Sequence, residues 1–149
     1  MRRSIHNSIL FLFLLGGAYE FGCDGDDNPL EVSQLTGTYT MVSITDKVDN
    51  VTTSAGDVSQ IGGVTGVVTG ALDVTETTFT LSLTITPAAG SAVTLTATGF
   101  YTLNGSKMSF TITTTTIPDI DGTGTLDIDL TGNRLTLEDD ETKLVFDKQ

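Results

Sequence analysis

The sequence predicts an all-β fold: an eight-stranded antiparallel up-and-down barrel, with a two-sheet β-sandwich as the alternative. Three observations carry this. Outside the N-terminal segment no window keeps helical periodicity beyond a turn or two, while residues 78 to 86 alternate apolar and hydroxylic side chains along the whole stretch. Thr, whose branched side chain suits the wet face of a strand, occurs 28 times in 149 residues, beside 16 Gly and no Trp. Turn signals recur at short intervals, and Asn104-Gly105 is the strongest of them.

The chain opens with a basic start, Arg2 and Arg3, and an apolar run from Ser8 to Ala18 (SILFLFLLGGA). That run is about half the ~20 residues a membrane-spanning helix needs. With small residues ahead of the lone Cys23, it reads as an export signal over residues 1–22. The segment resembles the precursors of bacterial lipoproteins, with Gly22 in the position before the cleaved bond. That resemblance implies Cys23 as the lipidated first residue and a bacterial outer-membrane lipoprotein facing the periplasm or the cell surface. The alternative is cleavage after Gly16-Gly17-Ala18, leaving a soluble protein with one free thiol. Residues 23–33, beginning Cys-Asp-Gly-Asp-Asp-Asn-Pro, read as an acidic tether, and residues 34–149 as the single domain.

The first strand falls at 35 to 45, LTGTYTMVSIT. Residues 46 to 63, with Asn, Ser, Gly and Asp among scattered Val and Ile, read as a long loop, either a lid or a structural connection. A second strand at 64 to 75 contains Gly66 and Gly70, which predict bulges or a sharp bend. After a tight connection at Glu76-Thr77, the third strand sets Phe79, Leu81, Leu83 and Ile85 on one face and Thr or Ser on the other. The fourth, 92 to 103, has Val93, Leu95, Ala97, Gly99, Tyr101 and Leu103 on its dry face. The Asn104-Gly105 hairpin leads to the fifth, 108 to 117, carrying Met108, Phe110 and Ile112. The sixth, 123 to 130, sets Leu126, Ile128 and Leu130 against Asp127 and Asp129. Short strands at 135 to 138 and 142 to 146 finish the chain. Eight strands joined by tight turns remove their exposed edges by closing. Such an interior is either filled by side chains or holds one small ligand.

Three stretches resemble the lipocalin-like lipoproteins of Bacteroidetes-type bacteria: LTGTYTMVSIT at the start, GFYTLNGSKMSFT in the middle and GTLDIDLTGNRLTLEDDETKLVFDK at the end. Gly37 and Tyr39 stand in the family's opening motif, with Tyr in place of Trp. Gly132, Asn133, Leu135, Leu137, Leu144 and Phe146 match its closing pair of strands. The resemblance implies an eight-stranded barrel on a lipid anchor and assigns no activity.

Composition narrows the function. Without residues 1–22 the chain keeps five basic and 18 acidic residues, a net charge of −13. That charge repels phosphate backbones, so no nucleic-acid partner is expected. The only His, His6, lies in the signal and the only Cys at its end. No Ser-His or Cys-His pair is available, and no enzyme is expected. Asp127 and Asp129 alternate onto the wet face. Asp119 and Asp121, with Gly122, resemble the start of a calcium loop but lack its later Glu; an acidic turn is the default reading, and no metal or cofactor is expected. The aromatic residues are too scattered to form the two girdles of an outer-membrane barrel.

The leading expectation is therefore a barrel that binds a small apolar ligand, entered past residues 46 to 63 and lined by Phe79, Leu81, Leu83, Leu95, Tyr101 and Phe110. Its rival is a structural or interaction lipoprotein whose own side chains fill the barrel. In both, the partner implied by the anchor is the membrane.

Overall fold

The computed structural model describes residues 30–117 and 122–149. The expected export signal, Cys23 and the calcium-loop candidates Asp119 and Asp121 thus lie outside the described residues. A four-residue helix, α1 (Val32–Leu35), precedes ten strands: β1 (Gly37–Asp46), β2 (Val51–Ser54), β3 (Val58–Ile61), β4 (Val64–Val74), β5 (Thr78–Thr86), β6 (Val93–Asn104), β7 (Lys107–Thr115), β8 (Gly122–Thr131), β9 (Arg134–Glu138) and β10 (Thr142–Lys148).

From β4 to β10 each strand pairs antiparallel with the next, and β10 lies against β1. The sheet closes where β1 meets β4, from Gly37↔Val74 to Thr40↔Ala71. Strands β1 and β4 to β10 therefore form a closed eight-stranded barrel in sequence order, and the sandwich alternative is excluded. Alternation explains the closure. On β5 the side chains of Phe79, Leu81, Leu83 and Ile85 are buried while Thr78, Thr80, Ser82 and Thr84 keep contact with water. A sheet with one dry face buries that face by curling onto itself.

The expected long loop is a correction. Residues 46 to 63 contain β2, paired with the second half of β1 from Ser43↔Ser54 to Asp46↔Val51, and β3, paired with the first part of β4 from Val58↔Val67 to Ile61↔Val64. These strands are four residues long, and only Thr53 and Ile61 are buried in them. A single inward residue per strand leaves no period to detect. The turn between them is set by Gly56, at φ +93°, and by Asp57, whose carboxylate accepts the Ser54 amide at 2.9 Å. Beyond Thr40 and Ala71, β1 and β4 part, and β2 and β3 occupy the opening. Between those two, Thr53 Oγ1 donates to Ser59 Oγ at 3.4 Å. The wall thus has eight strands at the end where β1 begins and ten at the other.

The bulges also fall elsewhere than expected. Gly70 pairs with Leu83 inside an unbroken register from Val67 to Val74. Register slips at Val42 in β1, between Met41↔Phe146 and Ser43↔Val145, and at Thr113 in β7, between Thr98↔Thr114 and Gly99↔Ile112. Gly66 and Gly70 answer a need for close approach instead. A Cβ on Gly66 would sit 2.5 Å from the Thr86 carbonyl oxygen, and one on Gly70 3.0–3.1 Å from the side chains of Leu83 and Met41.

The narrower end is plugged. Leu35, from α1, is buried against the core, and the Tyr39 hydroxyl donates to the Leu35 carbonyl at 2.6 Å. Lys148 places its ammonium 5.6 Å from the centre of the Tyr39 ring and donates to the Gln34 carbonyl at 2.9 Å. Beside it the Tyr101 hydroxyl donates to the Thr75 carbonyl, also at 2.6 Å. Burial raises the pKa of both phenols above their usual 10.0.

Candidate functional site

The six residues expected to line a ligand cavity do come together. Phe79, Leu81 and Leu83 project inward from β5, Leu95 and Tyr101 from β6, and Phe110 from β7. Leu83 stands opposite Leu95, and Tyr101 opposite Phe110. The rings of Phe79 and Phe110 meet edge to face, centroids 6.2 Å apart at 87°. All six belong to one continuous core and retain between 2% and 9% of their surface. Small inward residues face large ones: Gly99 stands opposite Phe79, Ala97 opposite Leu81, and Gly124 opposite Phe110. At the last pair the fit is close, since a Cβ on Gly124 would lie 2.6 Å from Phe110 Cζ. The room that Ala97 and Gly99 leave in the sequence pattern thus faces bulky partners across the ladder.

The wider end is tied by polar contacts. Asp46 is buried, and its Oδ1 accepts the amides of Val48 and Asp49 at 2.9 and 3.0 Å. Asp139 Oδ1 accepts those of Glu141 and Thr142 at 2.8 and 2.7 Å. Burial raises the Asp139 pKa above the ordinary carboxylate value, opposed by these two bonds. Lys47 donates to Glu138 Oε1 at 2.8 Å and to the Asp139 carbonyl at 2.7 Å, which lowers the Glu138 pKa and raises its own. These contacts hold the β1–β2 turn onto the β9–β10 turn. Among the described residues no three His, Cys, Asp or Glu side chains gather where they could hold a metal ion.

A second feature lies on the outer wall and escaped the sequence reading. Strands β6, β7 and β8 carry a shallow depression of about 400 Å³. Its rim is two cross-strand rows of outward side chains: Phe100, Thr111 and Thr123 in one, Thr102, Ser109 and Thr125 in the other. Tyr101, Phe110 and Gly124, which alternate inward, underlie it. Phe100 is 56% exposed, unlike every buried aromatic of the core. The signal available in the sequence was a phase fault, since Phe100 occupies a wet-face position in a strand otherwise faced with Thr.

No protein-family model matches the chain, and no curated protein does. Two solved structures resemble it. One is a lipocalin-like protein from Bacteroides uniformis ATCC 8492, 19% identical, with a TM-score of 0.50, covering 77% of this chain and 98% of that one. The other is an uncharacterized protein from Bacteroides eggerthii DSM 20697, 16% identical, with a TM-score of 0.50, covering 76% of this chain and 98% of that one. The closed antiparallel meander and these likenesses define the fold as a lipocalin-like β-barrel.

Proposed function

We propose that the protein is a lipid-anchored extracytoplasmic module whose barrel is filled by its own side chains and which works through its outer surface. The observation that carries this reading is the packing of Phe79, Leu81, Leu83, Leu95, Tyr101 and Phe110. A pocket for a small apolar molecule needs roughly 300 Å³ or more of free space, and side chains keeping 2% to 9% of their surface border little of it. The anchor rests on the sequence of the export segment and Cys23. Anchored in this way, the barrel is a scaffold that holds its exterior and its end loops at a bacterial surface.

Titration with Nile red, a neutral apolar dye, tests the filled interior. The folded protein should give no saturable fluorescence change. One-to-one saturable binding that is lost on unfolding would reinstate the ligand reading, with those six residues as its wall. Fatty-acid labelling of wild type against Cys23→Ala tests the anchor: label on the wild type alone is the expected result, and equal labelling would remove the anchor.

A further inference from the structure

We infer that the depression on the outer wall of β6, β7 and β8 is a binding site for a neutral glycan, with Phe100 as its stacking platform. The site extends the exterior-surface reading above, and its test and the dye titration fail independently. Four observations converge on this class of ligand.

The lining is uncharged: a rim of one phenylalanine and five Ser or Thr residues over a floor of Tyr101, Phe110 and Gly124. The chain as a whole carries a net charge of −12, so an anionic ligand would be repelled and a cationic one finds no carboxylate within the lining. Lys107 and Asp127, the next cross-strand pair toward the narrow end, neutralise each other at 2.5 Å.

The hydroxyls are available. Ser109 and Thr125 bond to each other at 3.4 Å. Thr102, Thr111 and Thr123 make no side-chain hydrogen bond among the described residues. A Thr hydroxyl both donates and accepts, which matches the hydroxyls of a sugar better than any single-function ligand. An exposed aromatic ring completes the chemistry. A pyranose has an apolar face of C–H groups and a polar rim. Phe100 supplies the flat apolar surface for the one, and the threonines supply partners for the other. A fatty or sterol-like ligand would find a single ring with a polar fringe, and no continuous apolar wall.

The dimensions agree. The two rows lie two residues apart along the strands, roughly 7 Å, and the three strands span roughly 10 Å. With about 400 Å³ of space, the patch seats one or two sugar rings.

Affinity electrophoresis of the folded protein tests this, through gels containing soluble starch, xyloglucan, galactomannan or mannan, with polygalacturonate as the anionic control. At least one neutral polysaccharide should retard the protein, with retardation unchanged at raised ionic strength and no retardation by polygalacturonate. Phe100→Ala should weaken it at least tenfold, roughly the loss of a hot-spot aromatic. Phe100→Trp should keep or strengthen it. Thr84→Ala, on the same outer face but outside the depression, should leave it unchanged. Phe100 is exposed, so the variants should melt with the wild type, and circular dichroism checks this. No retardation in any neutral gel overturns the assignment, as does retardation that survives Phe100→Ala. A concentration-dependent dimer abolished by Phe100→Ala would also overturn it, assigning the patch to a second copy of the chain.

Discussion

Tyr39 and Tyr101 use the same device at neighbouring points of the narrow end: a buried ring and a hydroxyl that satisfies a backbone carbonyl, that of Leu35 at the end of α1 and that of Thr75 in the β4–β5 turn. Removing one hydroxyl leaves a carbonyl without its partner. Tyr39→Phe should therefore cost about 1 kcal/mol, read as a lower urea midpoint at unchanged slope. The same phenols contribute to the alkaline limit. Their folded pKa values are raised by burial, so the folded state holds these protons more tightly than the unfolded chain does. Their contribution is fully present below pH 10.0, the ordinary value, and is lost as pH rises through the folded values. Tyr39→Phe and Tyr101→Phe should each flatten the alkaline limb of stability against pH; an unchanged limb in both would assign it to other groups. At this scale the sequence was partly legible. Tyr101 falls on the dry face by simple alternation, but the hydroxyl's partner lies 26 residues back in the chain, where no local pattern points to it.

Among the strands, legibility follows length. In β5 and β6, with four or more inward residues each, alternation alone fixes the inner face. In β2 and β3, with one inward residue each, it does not, and a loop was the expectation for what is a pair of strands filling the gap between β1 and β4. The bulges were invisible for a related reason. Val42 and Thr113 are ordinary β-formers, and what makes each the extra residue is the register of the opposite strand, β10 or β6. Glycine, the usual marker, pointed instead to tight contacts. Gly124 illustrates this in β8: its missing side chain is the seat of the Phe110 ring. Gly124→Ala forces that ring aside in a packed interior and should destabilise the fold by about 1–3 kcal/mol. The double variant Gly124→Ala with Phe110→Leu should recover part of the loss, because the shorter side chain vacates the contested space. Thermal melts of the three variants decide it; additive losses would show that the two positions do not share one contact.

For the molecule as a whole, the meander places chemistry and continuity in separate regions. The outer wall of β6 to β8 carries the hydroxyl-framed depression, while the ends are occupied by plugs and turns. Closure follows from the dry face and the short connections, both readable in the sequence; the place of closure does not. It depends on the first half of β1 finding β4, whereas the second half is covered by β2. One consequence of that closure concerns the ends of the barrel. Beyond β10 the Gln149 amide donates to the Thr38 carbonyl at 2.9 Å, and its side chain bonds to Thr40 Oγ1. First and last strands are thus stitched side by side, and the domain is topologically a ring with a single nick. Where the nick lies should matter little to the native architecture. A circular permutant that keeps α1, bridges Gln149 to Leu30 with a Gly-Ser linker and reopens at Asn104-Gly105 should fold to the same melting profile within a few degrees. Its new first residue would lie at the β6–β7 turn of the narrow end, so a tether fused there would leave the barrel on the same strands that carry the Phe100 depression.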